Sequence, residues 1–517
     1  MKRWMIGVWV TLVMAFPLKA MEHFQQIGWI DSSSQVHEIV QYPQLVEQAY
    51  RQNSDQMIWF DLQQSTKLEF QLEVIQQAQF SPLFSRQLSY LAFFRKSNRW
   101  HEYDILATDT LLLYLSYAEH ARSQGEDWFF GASLNAALPQ LSSDAWLAFQ
   151  SAVINQQLAE LIEAYTPDSE GYQKLVDSYL DLLKYQKLDV PKYTQQGLKR
   201  VGDTLTDRDV LLERMAMVGI NLDEVRRDVS WYDVTLEPAI KRFQALHGLT
   251  QDGIIGSETI GWLNRPIESR MTTLALNAER MRMWPAQRDT LILVNVPSFD
   301  MHYWHAGQTV FESKVIVGKT KRPTPVMQTR LDSLIFNPTW NIPWKIMVED
   351  IIPQVKRDPE YLTKHNIQII PKWGSSETIP ASEIDWQNLR PKSFPYRMRQ
   401  MSGSYNALGL YKFNTPNARA IYLHDTPSKG LFSQTSRAFS SGCIRVEHAD
   451  TFANLLLAQQ GMSINDVDRS EWVSNKAVAL RTRIPVYIIY QTAWYEEGIV
   501  HYRDDIYRLD KSSYTKS

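Results

Sequence analysis

The chain has a single cysteine, Cys443, in 517 residues. That count excludes any internal disulfide, so no covalent staple holds the fold. The charge balance is nearly even, at a net −3. An even balance leaves no basic patch for nucleic acid, and none is expected as a partner. After the N-terminus there is no apolar run approaching the roughly 20 residues a membrane-spanning helix needs. The HExxH pattern is missing, and His302 and His305, three apart on a predicted strand, face opposite ways. No metal is therefore expected. No glycine-rich phosphate loop occurs, so no nucleotide or other cofactor is expected.

What is present begins with an export signal. Lys2 and Arg3 precede an apolar run from Trp4 to Phe16, and Leu18-Lys19-Ala20 offers a cleavage site after Ala20. Residues 1–20 read as a signal peptide that delivers the chain to the periplasm. The alternative is an uncleaved inner-membrane anchor. In an oxidising compartment an odd thiol is an intermolecular link or a reactive group, rather than an idle hydrophobe.

The rest divides into regions of different period, and the class is multidomain α+β. Residues 22–197 read as a helical scaffold. Within it, Asp104 to Gly125 carries an apolar stripe (Ile105, Leu111, Leu112, Leu115, Ala118) closed by Gly125 as a C-cap. Ala145 to Tyr165 and Gly171 to Tyr185 read as further helices. Residues 198–266 contain three short helices. Leu211 to Val218 ends at Gly219 and Leu236 to His247 ends at Gly248. The third begins at Ser257 as N-cap and runs to Leu263. The string AIKRFQALHGLTQDGIIGSETIGWLN resembles the type 1 peptidoglycan-binding domain, with Ser257 where proline is usual. Use of the module as a plain spacer is the alternative.

From Leu291 the pattern turns to β. Strands are expected at Leu291 to Phe299, in a hairpin from His302 to Val317 turning at Ala306-Gly307, and at Ser333 to Phe336. Others are expected at Arg419 to Leu423, Pro485 to Gln491 and Ile499 to Tyr502. These define a mainly-β domain over 288–505, interrupted by a less regular insertion at 345–400 and followed by a polar tail at 506–517. Insertions of that length are usually lids or disordered.

The cysteine sits in this domain, in SSGCIRV, nineteen residues after His424. A histidine that takes the thiol proton and a thiolate that attacks a carbonyl make the minimal acyl-transfer pair. Ser441-Gly442 precede the thiol, and glycine permits the backbone angles that aim N–H groups at an oxyanion. Arg445 adds positive charge, for the thiolate or for a substrate carboxylate. A satisfied core histidine and a structural ion pair are the alternative readings of His424 and Arg445. Tyr422, two residues before His424, shares its face and is a candidate wall of the site, as is Trp340. Core packing is the alternative for both.

The segment HDTPSKGLFSQTSRAFSSGCIRV resembles the active-site segment of YkuD-type L,D-transpeptidases. His424, Ser440, Ser441, Gly442, Cys443, Ile444 and Arg445 match the pattern in order. Many members carry histidine where this chain has Ser441, a departure shared by a large Gram-negative periplasmic branch. Thr324 to Pro343 and Gly403 to Phe413 are similar to that branch too, and so is the order of regions. The resemblance implies that Cys443 attacks the diaminopimelate carbonyl of a tetrapeptide stem and releases D-alanine. The thioester then passes to the side-chain amine of a second stem, giving a 3→3 cross-link. His424 is base and then acid, oriented by a backbone carbonyl and not by the Asp425 side chain. Implied partners are donor and acceptor peptidoglycan stems and other cell-wall synthesis proteins. Three other functions stay open: attachment of lipoprotein to peptidoglycan, L,D-carboxypeptidase activity, and non-catalytic wall binding. A papain-like order is disfavoured, because here the cysteine follows its histidine.

Overall fold

The structure is a computed structural model describing residues 36, 38–59, 61–131, 138–462 and 474–510. The signal segment and the end of the polar tail lie outside the described residues. The chain forms two compact units, one of Met1–Gln76, Ser81–Ala121 and Leu134–Thr166, the other of Gln77–Phe80, Arg122–Ser133 and Pro167–Ser517.

The first unit is helical. Helices span Pro43–Gln52, Leu62–Gln77, Pro82–Lys96, Ser143–Asn155 and Leu158–Ala164, around a long helix Trp100–Phe130. Serine caps start two of them: Ser81 accepts from the Leu83 N–H and Ser142 from the Ala145 N–H. The long helix is more than a stripe. Residues 103–117 are buried without interruption, polar Asp104, Thr108, Asp109 and Ser116 included. A helix buried on all sides is the centre of its unit rather than one wall. Gly125 does not cap it. A Cβ there would meet Met283 Cγ at 2.6 Å, so this glycine serves close packing within the second unit, and the helix continues to Phe130. The helix expected over Ala145 to Tyr165 is broken at Gln156, which adopts φ 55.

From Pro167 the second unit continues with the helix Glu170–Gln186 and the short helices Arg208–Ala216, Glu237–Leu246 and Ser257–Leu263. Gly219, Gly248 and Gly253 all have positive φ, as the expected turns require. Gly256, not Ser257, is the N-cap of the third short helix, and the serine makes no capping bond. A helix Ile267–Arg280 then leads into the β domain.

Fourteen strands follow among the described residues. They are β1 (Leu291–Asn295), β2 (Asp300–His305), β3 (Gln308–Gly318), β4 (Met327–Phe336), β5 (Trp340–Asn341), β6 (Ile367–Ile370) and β7 (Arg397–Gln400). After them come β8 (Tyr411–Asn414), β9 (Leu423–His424), β10 (Ala438–Ser440), β11 (Ile444–Val446), β12 (Lys476–Ile489), β13 (Ala493–Glu496) and β14 (Ile499–Tyr502). The main sheet runs β10-β3-β11-β9-β8-β4-β12-β1-β2, and β2 also pairs with β3, so the ladder returns on itself. The strand expected from Arg419 is shorter, because Ala420 takes φ 54 and the chain turns before Leu423.

The helix Ala449–Gln459 packs against one face of this sheet. Its Phe452 ring lies 4.7 Å from Phe413 and 5.0 Å from Phe311. Phe413, Leu423 and Ile444 are cross-strand partners and are all buried. Each such side chain contributes about 1.5–3 kcal/mol to holding the three strands together. Strands β6 and β7 of the insertion pair with β5, just before it, in a separate three-stranded sheet, β5-β7-β6. The insertion also has its own core, including Met347, Ile352, Val355, Ile369 and Met398.

Candidate active site

Side chains alternate across a strand, so a rung of buried apolar residues fixes what its neighbours on the other face do. Because Phe413, Leu423 and Ile444 face the Ala449–Gln459 helix, the next rung faces away from it. That rung is Lys412, His424 and Arg445, paired across β8, β9 and β11. Cys443 is two residues before Arg445, and Tyr422 two before His424, which puts both on the same side. The expected residues Cys443, His424, Arg445 and Tyr422 therefore come together.

His424 is buried, and its Nδ1–H donates to the Asp425 backbone carbonyl at 2.5 Å. This leaves Nε2 as the lone-pair nitrogen. The Asp425 carboxylate does other work: it pairs with Lys429 and accepts from the Leu410 N–H at 2.9 Å. Burial, followed by the positive charges of Arg445, Lys412 and Lys429, draws the imidazole pKa down to about 3 against the pull of the Asp425 carbonyl. His424 is neutral at neutral pH and able to accept a proton.

Cys443 is half-buried, with Sγ 3.7 Å from the Ala420 carbonyl. Burial pushes its thiol pKa up. The Tyr422 backbone N–H and hydroxyl, then Lys412 and Arg445, oppose that rise by stabilising the thiolate. The Cys443 thiol and the His424 imidazole are thus both neutral at rest. The Tyr422 ring lies 5.7 Å from the His424 ring; burial, followed by Cys443, pushes its phenol pKa well up, against the Trp340 side chain. Trp340 also packs against the core of the insertion, so it belongs to that core and to the wall of the site at once.

The turn before the thiol is braced at every residue. Gly442 has φ 119, where a side chain would be strained, although a Cβ would meet nothing closer than Ile421 at 3.4 Å. Its N–H is taken by Ser440 Oγ at 3.1 Å and its carbonyl by Thr324 Oγ1 at 2.8 Å. Ser440 Oγ also donates to the Cys443 carbonyl at 2.6 Å. Ser441 is exposed, and its Oγ accepts from Arg322 at 3.0 Å.

Two residues escaped the sequence reading. Lys412 is half-buried, with Nζ 4.3 Å from the centre of the Tyr422 ring. Burial draws its ammonium below the usual lysine range, against the pull of Cys443 and Asp332. The signal for it was alternation: Tyr411-Lys412-Phe413 sets a charge between two aromatics. Arg322 is the second, and the sequence around it gave no such signal. Arg445 Nε is buried with no hydrogen-bond partner. Among the described residues, no group of acid, histidine or cysteine side chains could hold a metal ion.

Cys443 immediately precedes β11 and His424 ends β9, its parallel neighbour, in a sheet that closes on itself. Residues 289–488 match the L,D-transpeptidase catalytic domain of the YkuD family, residues 44–178 the Scaffold domain, and residues 218–263 the "Putative peptidoglycan binding domain". The chain carries a YkuD-type L,D-transpeptidase catalytic domain together with Scaffold and peptidoglycan-binding domains. It is similar to a Haemophilus influenzae protein named "Putative L,D-transpeptidase", 32% identical over 413 residues, or 79% of this chain. The match spans 66% of that relative's length. Two solved structures are weakly similar. The Ldtfm-avibactam carbamoyl enzyme is 12% identical over 40% of this chain and 51% of its own, with a TM-score of 0.20. An L,D-transpeptidase from Xylanimonas cellulosilytica is 13% identical over 58% of this chain and 98% of its own, with a TM-score of 0.19. At those scores neither bears on the site.

Proposed function

We propose that this chain forms 3→3 peptidoglycan cross-links through a thioester on Cys443. The observation that carries the reading is the shared face of Cys443, His424 and Tyr422, with His424 neutral and held by a backbone carbonyl. In the first half-reaction His424 Nε2 takes the thiol proton as sulfur attacks the diaminopimelate carbonyl of a tetrapeptide stem. The tetrahedral oxyanion is met by N–H groups of the Ser441–Cys443 turn, where the Gly442 N–H is already taken by Ser440. His424 then gives its proton to the leaving D-alanine amine. In the second half-reaction the side-chain amine of another stem attacks the thioester, loses its proton to His424, and the thiol is restored. Arg445 and Lys412 are the cations on that face able to meet a substrate carboxylate, and Tyr422 and Trp340 line it.

The site works outside the cytoplasm on the peptidoglycan layer, in the periplasm, with residues 218–263 holding the chain to its substrate. No helix among the described residues is long and apolar enough to cross a membrane. The test is incubation of purified protein with tetrapeptide muropeptides, followed by mass spectrometry. The expected result is 3→3 dimers that vanish with Cys443→Ala. Tripeptide alone from the wild type would make the chain a carboxypeptidase. Transfer only to a lipoprotein lysine would make it an attachment enzyme. No Cys443-dependent product of any kind would leave a wall-binding role.

A further inference from the structure

The guanidinium of Arg322 joins three segments that lie far apart in the chain. Arg322 follows β3 in a short loop that the nucleophile's turn already holds. Within this loop the Lys319 N–H donates to the Ser440 carbonyl at 3.0 Å, and Thr324 Oγ1 donates to the Gly442 carbonyl at 2.8 Å. The loop is tight: a Cβ on Gly318 would meet the Arg322 carbonyl at 2.2 Å, so only glycine lets it close. From this braced base the Arg322 side chain, 8% exposed, reaches two ways. One way, Nη1 donates to Ser441 Oγ at 3.0 Å, two residues from Cys443. The other way it pairs with both carboxylates of Glu349-Asp350 in the insertion. Asp350 is held by Nη1 and, at 3.1 Å, by Nη2; Glu349 is held by Nη2 at 2.5 Å.

Glu349 and Asp350 lie in a widened helical turn, Met347–Ile351. Met347, Val348 and Ile351 of that turn are buried in the insertion's own core. A widened turn costs regular hydrogen bonding and is often kept for function. Here it presents two adjacent carboxylates to one guanidinium. Only arginine's planar fork can serve two carboxylates and a hydroxyl together; a lysine ammonium is a single point.

We propose that Arg322 is a positioning residue that latches the inserted subdomain to the Ser441–Gly442–Cys443 turn, so that closure of the cap and the geometry of the nucleophile are set together. The two halves of the latch are separable. Ser441 reports the setting of the turn, and Glu349 with Asp350 report the docking of the cap. The idea rests on the acyl-transfer reading only for its turnover readout.

The test uses the full-length protein and three measurements: hydrogen exchange over 347–357 and 440–443, alkylation of Cys443 by iodoacetamide, and acylation of Cys443 by a carbapenem and by tetrapeptide stems. Arg322→Ala should speed exchange in both segments. It should lower kcat for stems about 10²-fold, the scale of a small misplacement of reacting groups. Alkylation by the small reagent should stay within about twofold, because the thiol itself is intact. Glu349→Gln with Asp350→Asn should loosen 347–357 alone. Combined with Arg322→Ala, that pair should add little, which is the coupling expected of one shared contact. Arg322→Lys guards against misfolding and should recover stability without recovering kcat. Wild-type exchange and acylation in Arg322→Ala would overturn the latch. So would full rescue by lysine, or equal losses in alkylation and acylation. Should no stem be turned over even by wild type, the acyl-transfer reading fails while exchange and alkylation still decide on the latch.

Discussion

The helical unit and the catalytic sheet both bury charged groups, and they treat them in opposite ways. In the long helix, Asp104 accepts from the Tyr50 hydroxyl, the Ile58 N–H at 3.0 Å and the Trp59 N–H at 2.8 Å. Asp109 accepts from the Gln41 and Tyr42 N–H groups, each at 2.8 Å, and from Gln87 at 3.3 Å. Each aspartate ties a stretch of preceding chain to the central helix. On the catalytic sheet, Arg445 Nε has no partner, and Lys412 sits over an aromatic ring rather than a carboxylate. A buried guanidinium N–H without an acceptor is costly. The contrast is between carboxylates met by several donors each and a guanidinium nitrogen left without any.

The comparison can be broken hardest at His424. His424→Ala should cut acylation by about 10²–10⁴-fold, the usual share of a general base, while leaving the urea midpoint of the helical unit unmoved. On the structural side, Asp104→Ala strands two backbone N–H groups and a hydroxyl. It should cost about 1–3 kcal/mol for each, seen in urea unfolding, with Cys443 alkylation unchanged. Lys412→Met tests the cations of that face. Removing one positive charge from beside His424 makes the imidazole easier to protonate, so the acid limb of kcat/KM should move up from its low position. The same change should raise the thiol pKa and slow alkylation about tenfold near neutral pH. A pH profile identical to wild type would remove Lys412 from the site.

The smallest effect concerns Asp109, whose carboxyl burial pushes up to about 7. Its folded value lies above that of the unfolded chain, about 3.9, so the fold binds the extra proton. That contribution is fully present below about pH 4 and is lost as pH rises through 7. Asp109→Asn, neutral throughout, should flatten this part of the stability profile.

Much of the site was legible because its chemistry is local. The spacing of His424 and Cys443 and the glycine at 442 sit in one string, and the structure puts all three on one turn or one face. The short helices around Gly219 and Gly248 were legible for the same reason, since a positive-φ glycine marks a helix end wherever it falls. Gly125 shows the limit: it looks the same in sequence, but its reason is the Met283 side chain, more than 150 residues away. Ser257 was read as a cap because serine prefers that place, yet the extended backbone of Gly256 takes it. Lys412 and Arg322 were hidden because a cation in sequence looks solvated until a ring, a turn and an inserted subdomain close around it.

The acceptor that holds His424 has an evolutionary consequence. It is the carbonyl of Asp425, and every amino acid, proline included, supplies that carbonyl. No codon change at 425 can delete it. Selection on the identity of residue 425 acts instead on the carboxylate that holds Lys429 and Leu410. Drift at this position can therefore reshape the surroundings of His424 while its tautomer is inherited unchanged.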